Sequence, residues 1–246
     1  MKTYGLIGKS LKHSFSKRYF TEKFEKEKIK SVYELFEIEK IEKVQEIFQK
    51  ENLNGLNVTI PYKEVIIPYL DEVDETAKVV GAVNTIKFIR HSAGTLSLKG
   101  YNTDVLGFSQ SIRPHLKAWH KKALILGTGG VAKAIDYSLK SLGIETKFVS
   151  RTPSSTQLSY EDLNSSIIND FLLIVNGSPI GMFPNITQCP KIPYVLLGKK
   201  HLLFDAIYNP IKTLFLQKGE KQGAEIINGL EMLVNQAEES WKIWNK

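Results

Sequence analysis

The chain has 246 residues, 42% of them apolar and 10% aromatic, enough for one large or two modest domains with a buried core. No apolar run reaches the roughly 18 residues of a membrane-spanning helix, and the opening MKTYGLIGKS lacks the apolar stretch of a secretory signal, so a cytoplasmic protein with no membrane partner is expected. The single cysteine, Cys189, excludes an intramolecular disulfide and a multi-thiolate metal centre, and no metal is expected. The formal charge of +7 does not by itself indicate nucleic acid. Most lysines alternate with glutamates, as in EKFEKEKIK (22–30) and EIEKIEK (37–43), the pattern of solvated helix faces. The surplus suits a small anionic substrate.

TYGLIG (3–8) reads as a strand ending in glycine, and Phe20 and Phe24 then recur at helical spacing. VYELFEI (32–38) alternates as a strand, and Ile41, Val44, Ile47 and Phe48 give the next helix one apolar face. NVTI (57–60) is a third strand, stopped by Pro61, whose missing N–H suits the first turn of a helix. GAVNTIKFI and GTLSLKGYN, separated by HSAG (91–94), predict a hairpin. Thr103 is a good N-cap for a helix through Val105, Leu106 and Phe108 toward Pro114. Strands at 123–126, 146–150, 171–176 and 201–208 and a helix over 130–142 follow, in the rhythm of a doubly wound parallel sheet. Pro210 opens another helix. In the last one Leu230, Leu233, Val234, Ala237, Trp241 and Trp244 repeat at three and four.

Two groups of residues carry chemistry. Gly127-Thr128-Gly129-Gly130-Val131-Ala132 fits G-x-G-x-x-A between a strand and a helix, the turn whose backbone amides approach a pyrophosphate. About 20 residues on, where an NAD enzyme places an acid on the ribose, stands Ser150-Arg151-Thr152. A guanidinium there favours a 2′-phosphate and thus NADP(H) over NAD(H), although Arg151 also reads as a solvated surface residue. Before the glycine turn, polar residues cluster where strands end: Ser14, Ser16, Thr59, Lys63, Asn84 and Asp104. Each has a plainer reading. Ser14 and Asp104 could cap helices, Asn84 could sit in a turn, and Lys63 could be solvated; His13 reads as structural.

Nine segments together resemble the shikimate dehydrogenase family: YGLIGKSLKHSFSK, NVTIPYKE, GAVNT, GYNTDVLGF, LILGTGGVAKA, SRT, VNGSPIGM, DAIYNP and NGLEMLVNQAEESW. The resemblance implies a two-domain α/β fold. A substrate domain with a mixed sheet would span 1–103 and regain the C-terminal helix 230–246, and a Rossmann-like doubly wound NADP-binding domain would span 104–229. The activity implied is reversible reduction of 3-dehydroshikimate to shikimate with NADPH, between the two domains. Ser14, Ser16 and Thr59 would bind the substrate carboxylate and neighbouring ring groups, and Lys63, Asn84 and Asp104 the ring hydroxyls. Gln236 would complete the pocket, with Tyr208 near it and Gly229 beside the cofactor. Lys63 and Asp104 would be the catalytic pair.

The sequence departs from the usual family pattern at Lys17, where proline is common, and at Ser150, where asparagine is common. PSSTQ, after Thr152, lacks the second basic residue often found there. One cation for a dianionic phosphate makes NAD(H) a poorer alternative rather than an excluded one. Monomer and homodimer remain equally compatible with the sequence.

Overall fold

The computed structural model describes residues 1–12, 14–92 and 94–246; His13 and the middle of the HSAG turn lie outside them. The chain divides into two compact units, Met1–Thr103 with Ala237–Lys246, and Asp104–Gln236.

The first unit holds β1 (Lys2–Gly8), α1 (Phe15–Lys26), β2 (Ser31–Glu37), α2 (Val44–Phe48), β3 (Leu53–Val58), β4 (Glu72–Val73), α3 (Glu75–Val80), β5 (Thr85–Arg90) and β6 (Leu96–Tyr101). Among the described residues six strands form a mixed sheet in the order β2-β1-β3-β5-β6-β4. β1 runs parallel to β2 and β3, whereas β5 runs antiparallel to β3 and to β6. Alternation along β1 gives each face its own core. Tyr4 and Leu6 join Phe20, Phe24 and Tyr33 on one side, while Ile7 joins Phe36, Leu56, Val58 and Ile86 on the other. The chain's last residues complete the first of these cores. Trp244 stacks on Tyr4 with ring centroids 4.9 Å apart, donates its indole N–H to the Ile86 carbonyl (3.0 Å), and fills the space a side chain at Gly55 would need.

Pro61 does not open a helix. The backbone turns through 60–66, where the Tyr62 N–H closes onto the Thr59 carbonyl (2.9 Å), and only Ile67–Tyr69 winds into a short 3-10 segment. Two short elements, β4 and α3, carry too few residues for periodicity to mark them.

The second unit holds α4 (Asp104–Ile112), β7 (Lys122–Leu126), α5 (Gly130–Ser141), β8 (Glu145–Val149), α6 (Ser165–Asp170), β9 (Leu173–Asn176), β10 (Leu202–Asp205), α7 (Leu214–Lys221), β11 (Glu225–Ile227) and the start of α8 (Leu230–Asn245). The strands lie in the order β11-β10-β9-β7-β8, every pairing parallel. Successive residues face opposite sides: Ile125 and Val175 pack with α4 and α5, and Leu124 and Ile174 pack with α6 and α7. That double cover is why β7, β9 and β10 read as apolar runs, while β8 (ETKFV) and β11, at the two ends of the sheet, do not.

The helix expected from Pro210 begins instead at Leu214, because Thr213 supplies the cap by accepting the Leu216 N–H (3.4 Å). In α8 the buried face carries Met232, Gln236, Ala237, Ser240, Ile243 and Trp244, while Leu230 is exposed. The expected apolar stripe is therefore rotated: of the six buried positions only Ala237 and Trp244 belong to it, and the other four are Met232, Gln236, Ser240 and Ile243. No helix among the described residues is long and apolar enough to cross a membrane.

Candidate active site

The glycine turn closes β7 and opens α5. Gly127 sits at φ +108°, a conformation an L side chain rarely adopts, and its N–H is anchored to the Val149 carbonyl (3.0 Å) at the end of β8. Gly129 is the α5 N-cap, and no side chain caps the helix. The first intrahelical bond is that of Lys133 to the Gly129 carbonyl (3.0 Å), so the Gly130, Val131 and Ala132 amides precede the hydrogen-bonded ladder at the positive end of a twelve-residue helix. Thr128 and Gly129 are exposed, and a Cβ added at Gly129 would meet nothing within 4 Å. An anionic diphosphate fits such an end. Gly229 is the opposite case: a Cβ there would lie 2.3 Å from the Ala206 carbonyl oxygen, so the backbone itself occupies the space.

At the end of β8, Ser150 turns its hydroxyl inward to accept the Thr152 N–H (3.2 Å), leaving Arg151 exposed beside it. The hydroxyl-rich loop that follows is held by its own bonds, Ser154 N–H to Gln157 Oε1 (3.2 Å) among them, and holds no second cation up to Tyr160. Burial pushes the Tyr160 phenol up, and the Arg151 charge opposes that shift.

In the first unit, the residues singled out at strand ends share one edge of the sheet. β1 and β3 end there, and because β5 is antiparallel to β3, with Asn57 opposite Thr85, its first residues begin there. Ser14 caps α1 by accepting the Lys17 N–H (3.2 Å), so the cap reading holds for it, with its O–H still available to donate. Ser16 is buried in the first turn beside Tyr33, and the Lys17 ammonium is tied to the Tyr33 carbonyl. Thr59 donates its N–H to the Ile7 carbonyl (2.9 Å), locking the ends of β1 and β3 together. The Lys63 carbonyl accepts from the Val83 N–H (2.7 Å), which fastens the lysine beside the segment leading to Asn84.

Asn84 is almost wholly buried, and its orientation is fixed. Its side-chain oxygen accepts from the Thr103 N–H (2.8 Å), the Thr103 hydroxyl (3.1 Å) and the Thr85 hydroxyl (3.2 Å), which leaves the Nδ2 donors as the end it can offer. Behind it, Asn57 donates to Ser240 (3.0 Å) and Thr85 (3.2 Å) and accepts from Tyr33 (2.7 Å). The Thr103 hydroxyl, expected as a helix cap, is engaged by Asn84 and by Ser240 (3.2 Å).

In the second unit Asp104 is the buried first residue of α4, where the helix dipole favours its carboxylate. Gln236 is buried on α8 and donates to the Leu233 carbonyl (2.9 Å), and Tyr208 is half-buried on the segment after β10. Sequence reasoning passed over Asp205, which ends β10 with no exposure and whose carboxyl is pushed up to about 7 by burial. An ionisable residue closing the apolar run LLFD was the signal for it. Among the described residues no group of three or more His, Cys, Asp or Glu side chains could hold a metal ion.

Residues 6–86 match the model of the shikimate dehydrogenase substrate binding domain. The shikimate dehydrogenase (NADP(+)) of Methanosphaera stadtmanae is 36% identical over 259 residues, covering 98% of this chain and 90% of its own. The chain belongs to the shikimate dehydrogenase family. The structure of shikimate dehydrogenase 1 from Peptoclostridium difficile covers all of this chain and 92% of its own, at 37% identity and a TM-score of 0.87. A shikimate 5-dehydrogenase from Listeria monocytogenes, solved in complex with shikimate and NAD, covers the whole chain and 92% of its own at 27% identity and a TM-score of 0.85. Shikimate dehydrogenases thus match both units of this chain, well beyond the 81 residues of the substrate-binding model.

Proposed function

We propose that the chain reduces 3-dehydroshikimate reversibly to shikimate with NADPH, a step toward chorismate and the aromatic amino acids. The observation that carries the reading is the gathering of Ser14, Ser16, Thr59, Lys63 and Asn84 on one sheet edge, in a family member whose second unit offers an uncapped helix behind a glycine turn. The bound cofactor supplies a hydride to the ring ketone.

Ser14, Ser16 and Thr59 hold the substrate carboxylate and its neighbours through neutral hydroxyls, which leaves Lys63 as the principal positive charge near the reacting carbon. Its ammonium gives a proton to the ketone oxygen as negative charge develops there, and takes the proton back in oxidation. Asp104 accepts from a substrate hydroxyl and orients the ammonium. Asn84, held by its oxygen, donates from Nδ2 to a ring hydroxyl, and Tyr208 and Gln236 complete the contacts. The Gly130, Val131 and Ala132 amides take the pyrophosphate, with Gly127, Thr128 and Gly129 shaping the turn. Ser150, Arg151 and Thr152 face the adenosine ribose, and the Gly229 backbone, packed against the Ala206 carbonyl, lies near the nicotinamide. Relatives of this chain are named for NADP(+), and the single Arg151 cation supports NADPH as the preferred cofactor with NADH as a poorer one. The enzyme acts in the cytoplasm on this small molecule, without nucleic acid or membrane, as a monomer or a homodimer.

The test is NADPH oxidation at 340 nm with 3-dehydroshikimate, run beside NADH. Wild-type turnover that falls by about 10²–10⁴ in Lys63→Ala, with the fold intact by circular dichroism, is the expected result. Undiminished turnover in the variant would remove Lys63 from the proton transfer, and a folded wild type without turnover would sink the reading itself.

A further inference from the structure

The carboxyl ends of β9 and β10 are joined by a buried polar node that none of the roles assigned above uses. Asp205 Oδ1 accepts from Asn176 Nδ2 (3.0 Å) and from the Ile207 N–H (3.1 Å), and Oδ2 accepts from the Thr213 hydroxyl (2.5 Å). Asn176, equally buried and opposite Asp205 in the β9–β10 ladder, in turn accepts from the Ser178 N–H (3.1 Å) and hydroxyl (2.7 Å) and donates to the Ile180 carbonyl (3.3 Å). Thr213 is the α7 cap.

One carboxylate therefore fixes the turn after β9, the segment after β10 and the start of α7. Stability alone does not call for such a group, because replacing buried charge by well-packed apolar residues is often neutral or favourable. What three converging donors do achieve is orientation. The anchored Ile207 amide is the one immediately before Tyr208, and Ser178 backs the glycine turn, with its Cβ 3.1 Å from where a side chain at Gly127 would begin.

We propose that Asp205 is a positioning residue that holds Tyr208 in place for substrate through the Ile207 amide. The proposal rests on the reading of Tyr208 as a substrate contact. A displacement of about 1 Å at such a contact is enough to cost up to about a hundredfold.

Shikimate oxidation with NADP⁺ is measured at pH 8.5 for Asp205→Ala and Asp205→Asn, each alone and with Tyr208→Phe. Asp205→Ala should raise the shikimate KM more than tenfold with kcat changed less than threefold, and Asp205→Asn, which keeps an acceptor for Ile207, should return KM to within threefold of wild type. The rise should vanish in the Tyr208→Phe background, since residues acting through one another do not add. A wild-type KM in Asp205→Ala, or the same rise with and without Tyr208, would overturn the proposal. Hydrogen exchange on the full chain gives a reading that needs no turnover. The peptide over 205–213 should exchange faster in Asp205→Ala and not in Asp205→Asn, and unchanged exchange in both overturns the proposal whether or not shikimate is a substrate. Should Asp205→Ala fail to fold, Thr213→Val, which removes the Oδ2 arm together with the α7 cap and leaves the Ile207 arm, takes its place in both measurements, with a roughly threefold KM rise expected and again lost with Tyr208→Phe.

Discussion

Asp205 also gives the molecule a pH dependence whose sign follows from its environment. Burial raises its carboxyl from 3.8 to about 7, against the opposing pull of Thr213, Ile207 and Asn176. The folded state therefore binds this proton more tightly than the unfolded chain. The group's stabilising contribution is full below pH 3.8 and is lost as pH rises through about 7, a span worth on the order of 4 kcal/mol. Asp205→Asn is neutral throughout, so its Tm relative to wild type should climb between pH 5 and pH 8; a constant difference would mean that the buried carboxyl titrates at its ordinary value. A second expectation concerns Arg151, the one guanidinium after β8. Arg151→Ala should raise the KM for NADPH about tenfold or more while leaving that for NADH within twofold, and equal changes for both would take the 2′-phosphate away from this residue. Ser14 illustrates what sequence could decide at this scale. The sequence position allows a cap and a substrate contact alike, and the cap in the structure leaves both compatible, because a hydroxyl that accepts one N–H retains its own proton to donate.

At the scale of elements, two glycines before helices separate folding from binding, one in the turn before α5 and one before α8. Gly129 has open space where a Cβ would go, whereas Gly229 has the Ala206 carbonyl oxygen 2.3 Å away. Gly129→Ala should leave Tm nearly unchanged yet weaken NADPH binding tenfold or more in a fluorescence titration, by putting a methyl group where the diphosphate approaches the amides. Gly229→Ala should lower stability by about 1–3 kcal/mol, since backbone must move to admit the methyl. Reversal of these two effects would mean that the diphosphate lies elsewhere. The parallel sheet of the second unit was legible in the sequence because buried strands are continuous apolar runs between glycine and helical spacing. The hairpin β5–β6 was legible by alternation. What escaped were elements of two to six residues, β4, α3, α6 and β11, too short to show a period, and helix starts decided by a hydroxyl rather than a proline, as at Thr213. The strand-end residues could be picked out as polar interruptions, but their grouping on one edge depends on β5 running antiparallel to β3, which local sequence does not encode.

At the scale of the whole molecule, 33 basic against 26 acidic residues leave a formal charge of +7. Part of the basic set is paired at the surface, as in Arg18 with Glu22 or Lys78 with Glu75, and exposed pairs of this kind add little to stability. The unpaired surplus acts at longer range. Both partners of the proposed reaction are anions, one carrying a carboxylate and the other several phosphate charges, so a positive protein raises their encounter rate, and salt removes that advantage once the screening length falls to about 10 Å or less. The expected outcome is a fall of at least threefold in kcat/KM between roughly 10 mM and 300 mM KCl, steeper when NADPH is varied than when 3-dehydroshikimate is, because the steering energy scales with the charge steered. The kcat at saturation should stay nearly constant, since encounter no longer limits it. Removing another exposed positive charge, as in Lys246→Ala, should alter the slope less than Arg151→Ala, which should flatten it for NADPH alone. A salt response equal for both substrates, or carried by kcat, would place the effect in folding or in the chemical step, and the surplus of lysine would then be a matter of solubility.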